Sequence, residues 1–208
     1  MKRKLYFTSD WHVGHQNCMK FDERPFRDLD HLHETLISKF NHYVPKHGIT
    51  YFLGDMGFKG SETLRKIIDR LHGTKVLVRG NHDGKMDSMY NAGFDVVIEK
   101  AQITLGKDII TMSHCPLYGV FRENTEGMRG CDGTENWHKE HKHKDTYSFP
   151  DFGQFHLHGH IHSRKGNGKL RVDGRQMDVG VPAWDYRPVS LSDVQSWIHQ
   201  YKKDNGLI

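Results

Sequence analysis

The sequence predicts an α/β fold in which two β-sheets pack on each other, and three observations carry that expectation. Three short apolar runs, KLYFTSD (4–10), TYFLGD (50–55) and TKVLVRGNHD (74–83), each end in a polar cluster and alternate with two stretches of helical periodicity. From residue 94 onward, six further strand-like runs follow one another with loops between them. An amphipathic segment, SLSDVQSWIHQYKKDNG (190–206), closes the sequence as a helical cover for the core.

Taken in order, the first three runs read as strands, because each is short, apolar and followed by turn-forming residues. Leu29, Leu32, Leu36, Ile37, Phe40 and Val44 recur at helical spacing between the first two, and Leu64, Ile67, Ile68 and Leu71 do so between the second and third. Ser61 and Gly73 are the expected N-cap and C-cap of the second helix. A β-α-β-α-β series of this kind predicts a parallel sheet. FDVVIE, AQITL, DIITMSH, QFHLHGH, KLRVDG and QMDVG then predict a second, mixed sheet, with LGKD (105–108) as a hairpin turn. In the last helix, Ser192 and Gln195 are the expected capping box, with Val194, Trp197, Ile198 and Tyr201 on one face.

The 208 residues are expected to form one domain, 1–208, interrupted by a polar insertion at about 119–153. Loops of that length in a compact domain are usually functional or mobile. MKRKLYFTSD is basic but lacks a following apolar region, and no stretch approaches the roughly 18 continuous apolar residues of a membrane span, so a soluble, cytoplasmic protein is expected. Cys18, Cys115 and Cys131 are odd in number, irregularly spaced and without a C-x-x-C pair, so neither a disulfide framework nor a thiolate zinc site is suggested. The charge of +4, from 30 basic and 26 acidic side chains, tolerates an anionic substrate without indicating a nucleic-acid binder. Histidine, at 17 residues, is the compositional outlier.

The chemistry stands at the strand ends. Asp10 and His12 follow the first run, Asp55 the second, Asn81 and His82 the third, and His114, His160 and His162 follow two of the later ones. Loops at the carboxyl ends of parallel strands converge on one crevice, so residues far apart in sequence can meet there. Seven ligand-type residues exceed one tetrahedral site and suit two ions sharing a carboxylate, for which Asp55 is the natural bridge. Imidazole and carboxylate donors without thiolate favour manganese, iron, zinc, cobalt or nickel over calcium, and manganese is the first choice.

The ordered set D-x-H, G-D, G-N-H-D, a lone histidine after a strand, and G-H-x-H, spread over residues 10–162, resembles the calcineurin-like metallophosphoesterase superfamily. RPF (24–26), SHCPL and DVGVPAWDYRPVS are similar to its small bacterial and phage-encoded members. The resemblance implies a four-layer fold, two mixed sheets packed as a sandwich and flanked by helices. It further implies Asp10, His12 and His162 on one metal, Asn81, His114 and His160 on the other, and Asp55 on both, with His82 as the catalytic, non-ligand histidine beside them.

Two ions about 3.5–4 Å apart would clamp a phosphate ester and acidify a bridging water, while His82 would contact the phosphate or protonate the leaving alkoxide. The expected function is a metal-dependent phosphodiesterase acting on a small, nucleotide-like phosphate ester. The alternatives are a phosphomonoesterase, including a protein phosphatase, and a non-catalytic binding module.

In HLHGHIH (156–162) the period of two predicts four histidines on one strand face; the resemblance, whose pattern begins at Gly159, implies His160 and His162 as ligands and leaves His158 as their support and His156 as packing. His138, His141 and His143 form a triplet that more often means a solvated loop than a third ion site. Arg24, Arg79 and Arg187 are of the type that binds phosphate, although a structural role is commoner, and His15 and Asn17 follow the first motif closely enough to line the pocket.

Overall fold

The computed structural model describes residues 4–57, 62–118, 144–164 and 171–208. Two five-stranded sheets are present, as expected. The first has the order β10-β1-β2-β3-β4, with β1 Leu5–Thr8, β2 Ile49–Phe52, β3 Thr74–Val78, β4 Val96–Ile98 and β10 Val189–Ser190. Strands β1 to β4 run parallel and β10 is antiparallel to β1. The second has the order β5-β6-β7-β9-β8, with β5 Ala101–Leu105, β6 Asp108–Met112, β7 Phe155–His158, β8 Val172–Asp173 and β9 Gln176–Asp178. It is mixed: β6, β7 and β9 are parallel, while β5 and β8 are antiparallel edges.

The pleat sorts the core into two layers. In the first sheet Tyr6, Phe52 and Leu77 point to an outer layer built on Leu32, Leu36, Ile37, Phe40 and Leu64. Their neighbours Phe7, Leu53 and Val78 point the other way, against Ile110, Met112, Leu157 and Met177 of the second sheet. The outer layer comes from helices α2, Leu29–Tyr43, and α3, Glu62–Ile68, at the spacing read from the sequence. Asp28 caps α2 by accepting the His31 N–H at 2.8 Å. Short helices α1, Gln16–Phe21, and α4, Met86–Asn91, lie below the length at which periodicity announces a helix.

Four expectations are corrected. FDVVIE pairs with β3 in the first sheet, because its three-residue strand extends the parallel series before the hairpin begins. The first sheet, expected to be parallel, is mixed through β10, a two-residue strand too short for its pattern to show in the sequence. Gly73 is not the cap of α3, which gives way to turns after Ile68; Gly73 takes φ +77° where a Cβ would sit 2.4 Å from the Gly48 carbonyl oxygen. The final helix, Leu191–Asp204, is capped by Ser190 and Asp193 rather than Ser192 and Gln195, since Ser190 already stands in extended backbone at the end of β10. Ser61 lies outside the described residues, as do 119–143 of the insertion with the His138, His141 and His143 triplet. Its remainder forms a short helix, Lys144–Tyr147, and returns against 115–118 through hydrogen bonds from Cys115 N to Tyr147 O and from Tyr118 N to Phe149 O. The LGKD hairpin is present, with Leu105 paired to Asp108. No helix of the described residues is long and apolar enough to cross a membrane.

Candidate metal centre

Strands β1, β2 and β3 of one sheet and β6 and β7 of the other end on the same side of the sandwich, and the loops that follow them build the site. Backbone bonds lace these loops together. Asp10 N donates to Gly54 O at 3.1 Å, His12 N to Asp55 O at 3.0 Å, Val13 N to Met56 O at 2.9 Å, and Gly159 N to His114 O at 2.9 Å. Asp83 secures two of them: its carboxylate accepts the N–H groups of Gly80, Asp55 and Met56 at 2.8, 2.9 and 2.8 Å.

Six of the eight expected site residues converge as two triads, Asp10/His12/His162 and Asp55/His114/His160, the candidate ligand atoms of each lying within 4.8 Å of one another. In the first, His162 Nε2 is 3.2 Å from Asp10 Oδ1 and 3.1 Å from His12 Nε2. In the second, His114 Nε2 is 3.2 Å from Asp55 Oδ2 and 3.1 Å from His160 Nδ1. Asp55 Oδ2 also lies 3.8 Å from His12 Nε2, so one oxygen faces both triads, while Oδ1 accepts the His82 N–H at 3.0 Å. The other two residues stand at the exposed rim. Asn81 and His82 occupy the loop after β3, with the His82 ring 5.9 Å from that of His12.

The triads fit a divalent ion. Donors bonded at about 2.0–2.2 Å to one tetrahedral or octahedral centre stand roughly 3–3.5 Å apart, which matches the short separations within each triad. The backbone supports the same conclusion, because Asp10, His12, Asp55, His160 and His162 all take left-handed φ, from +48° to +69°. Aspartate and histidine tolerate that region better than most non-glycine residues, but five of them gathered in one set of loops is uncommon, and such conformations cluster at functional sites. The glycines between them leave no room for a side chain: a Cβ at Gly159 would meet Asp10 Oδ2 at 2.3 Å, and one at Gly80 would meet Asp55 Oδ1 at 2.3 Å.

Charge is arranged in opposed pairs. Burial disfavours ionised Asp10, but the charge and hydrogen bond of His162 outweigh it and hold the carboxyl well below the usual carboxylate range. Asp55 is lowered in the same way, against its burial, by His114. Conversely, His162 and His114 are pushed up to about 10 and about 9, their burial overcome by Asp10 with Asp22 and by Asp55. Burial pushes His12 down to about 4 and His160 down to about 3. Each triad thus pairs a carboxylate with one imidazole that attracts a proton and one that sheds it.

The strand reading of HLHGHIH is corrected here. β7 stops at His158, and only His156 and His158 share its face, their rings 5.9 Å apart and nearly parallel. Gly159–His162 is a loop in which Ile161 N bonds Gly159 O at 2.8 Å, and left-handed turns at His160 and His162 aim those side chains at separate triads. His156 is the packing residue expected: fully buried, its ring nitrogens bonded to Thr111 Oγ1, Ser113 Oγ and Cys115 O. His158 Nδ1 bonds Gly159 O at 2.9 Å, steadying the turn that carries the two ligand-type histidines.

The three arginines are engaged structurally. Arg24 is buried on Asp22 and backbone carbonyls, Arg79 bonds Gly84 O and Tyr147 Oη, and Arg187 packs over Trp184 and bonds Asp193. His15 lies near the centre, its ring 5.8 Å from that of His12, and Asn17 is exposed. Asp22 was not legible: its carboxylate meets His162 Nδ1 at 2.8 and 2.9 Å, although it belongs to no motif and follows an unremarked short helix.

No family model matches the chain. An uncharacterized protein of Methanocaldococcus jannaschii is 39% identical over 83 residues, a match spanning 39% of this chain and about half, 47%, of that protein. The gene 66 protein of Mycobacterium phage L5 is 26% identical over 97% of both chains. Among solved structures, a protein of unknown function from Aquifex aeolicus superposes with a TM-score of 0.66 at 23% identity, over 94% of this chain and all of that one. The chain shares its fold with that structure and carries at the strand ends two His/Asp clusters able to hold metal ions.

Proposed function

We propose that the protein is a calcineurin-like, dinuclear metal-dependent phosphoesterase, with a nucleotide-like phosphodiester as the favoured substrate. The observation that carries this reading is the pair of triads meeting at one carboxylate oxygen, Asp55 Oδ2. Asp10, His12, His162 and Asp55 would hold one ion, and Asp55, His114, His160 and the amide of Asn81 the other. Manganese is the first choice among borderline divalent ions for such a nitrogen and oxygen set. When bound, the ions neutralise charge on the phosphate oxygens and acidify a water for in-line attack.

The remaining work falls to the chain. The backbone lacing of the 10–13 and 54–57 loops fixes the two triads relative to each other, so binding energy is not consumed in ordering them. Buried Asp10 and Asp55 supply the negative charge that draws cations into the site. His82, exposed beside His12 and held through its backbone on Asp55, is the residue able to deliver a proton to the departing alkoxide. That role supports the diester preference, because an alkoxide leaving group needs the proton most.

The test is a screen of manganese-reconstituted protein on generic mono- and diesters, then on nucleotides, with Asp55→Ala as control. Turnover that requires metal and is lost together with metal in Asp55→Ala is expected. Full activity in Asp55→Ala would overturn the dinuclear reading, and no ester turnover by metal-loaded wild type would favour a binding module.

A further inference from the structure

We propose that Asp22, locked by Arg24, is a positioning residue for the first triad: it holds the proton of His162 on Nδ1 and so presents Nε2 to the ion. The inference rests on the metal-site reading above and adds Asp22, which belongs to none of the sequence motifs, together with a role for Arg24 of the RPF stretch.

His162 lies between two carboxylates. Its Nδ1 meets both oxygens of Asp22, at 2.8 and 2.9 Å, and its Nε2 faces Asp10 Oδ1 and His12 Nε2. Only one ring nitrogen points into the triad. A hydrogen bond from Nδ1–H to a fixed carboxylate selects the tautomer whose Nε2 lone pair is free for coordination, and it also fixes the ring plane. On a loop with left-handed φ at both His160 and His162, no strand pairing does that work.

Asp22 is itself held. Buried Arg24 donates from Nε to Asp22 Oδ2 at 3.0 Å and places Nη2 2.9 Å from the same oxygen. The same guanidinium donates from Nη2 to Asp10 O at 2.9 Å and from Nη1 to Trp11 O at 3.0 Å. One rigid fork therefore ties the backbone that carries Asp10 and His12 to the carboxylate that orients His162, so all three ligand-type residues are registered by one side chain. The second triad is built otherwise, since His114 Nδ1 rests on the backbone oxygen of Leu53 at 2.8 Å. Loss of the Asp22 charge should consequently weaken one ion and spare the other.

The experiment is calorimetric titration of chelator-stripped protein with zinc, on wild type, Asp22→Asn, Asp22→Ala and Asp22→Glu, with thermal melts to establish folding. Two ions on wild type are expected, with one weakened about 10- to 100-fold in Asp22→Asn and Asp22→Ala, the other unchanged, and partial recovery in Asp22→Glu. Two sites of wild-type affinity in folded Asp22→Asn and Asp22→Ala would overturn the inference while leaving the metal reading intact. Wild type that binds no zinc would instead overturn the metal reading itself. Should the variants not fold, long-range proton–nitrogen spectra of zinc-loaded wild type decide the matter: a His162 proton on Nδ1 supports the inference, and a proton on Nε2 overturns it.

Discussion

At the scale of the residue, the centre is governed by which nitrogen or oxygen carries a proton. His162 and His114 are pushed above the ordinary histidine value of about 6.5, to about 10 and about 9, so their protonated forms stabilise the folded, metal-stripped chain. That contribution is complete below about pH 6.5 and is lost as pH rises through about 9 to 10. Asp10 and Asp55 are depressed, and their contribution is present above about pH 4 and lost as pH falls below it. His12 and His160, held neutral by burial, add to the acid limb because the unfolded chain takes up their protons below about pH 6.5. Thermal melts of chelator-treated protein should thus show a maximum between about pH 6 and 8 and decline on both sides. A flat profile from pH 7 to 10 would contradict the two raised histidines. His82→Ala is expected to lower kcat by about 10²–10⁴-fold with metal content unchanged, measured by steady-state kinetics beside elemental analysis.

Elements set the site through their ends. Gly159 joins β7 to the loop carrying His160 and His162, and its missing side chain is where Ser9 Oγ and Asp10 Oδ2 approach. Gly159→Ala should therefore displace Asp10 and weaken metal binding at the first triad, read as reduced zinc affinity by calorimetry; unchanged affinity would show that the loop yields freely. The last helix offers a contrast between two serines. Ser190 accepts the Asp193 N–H at 3.1 Å, while Asp193 accepts the Ser190 N–H at 2.8 Å, a reciprocal pair at the helix start. Ser190→Ala should cost about 1 kcal/mol in denaturant unfolding, and Ser192→Ala less than about 0.5 kcal/mol. Equal losses would remove the distinction.

For the whole molecule, the sandwich is what brings β6 and β7 to the ends of β1, β2 and β3. Its inner layer is apolar, with Phe7, Leu53 and Val78 opposite Ile110, Met112 and Leu157, all fully buried. Leu157→Ala should destabilise the protein by about 2–5 kcal/mol, and because β7 carries the His160 and His162 loop, metal affinity should fall with it. Denaturant unfolding and calorimetry on the one variant test both, and a stability loss without any change in affinity would separate the inner core from the site.

Binary pattern determined the two sheets, the α2 and α3 faces and the gathering of Asp10, His12, Asp55, His82, His114, His160 and His162 at strand ends, because periodicity and strand-end chemistry are local and survive in one dimension. Tertiary structure decided the rest. The sheet that β4 joins depends on a partner distant in sequence, and the cap at Ser190 depends on β10 bringing it there in extended backbone. Asp22 could not be read at all, since its meaning comes from a histidine 140 positions away and an arginine turned inward. In HLHGHIH the sequence singled out His160 and His162 by a strand alternation that the fold does not use: the strand ends at His158, and left-handed turns, held by the surrounding backbone bonds, aim His160 and His162 at different triads.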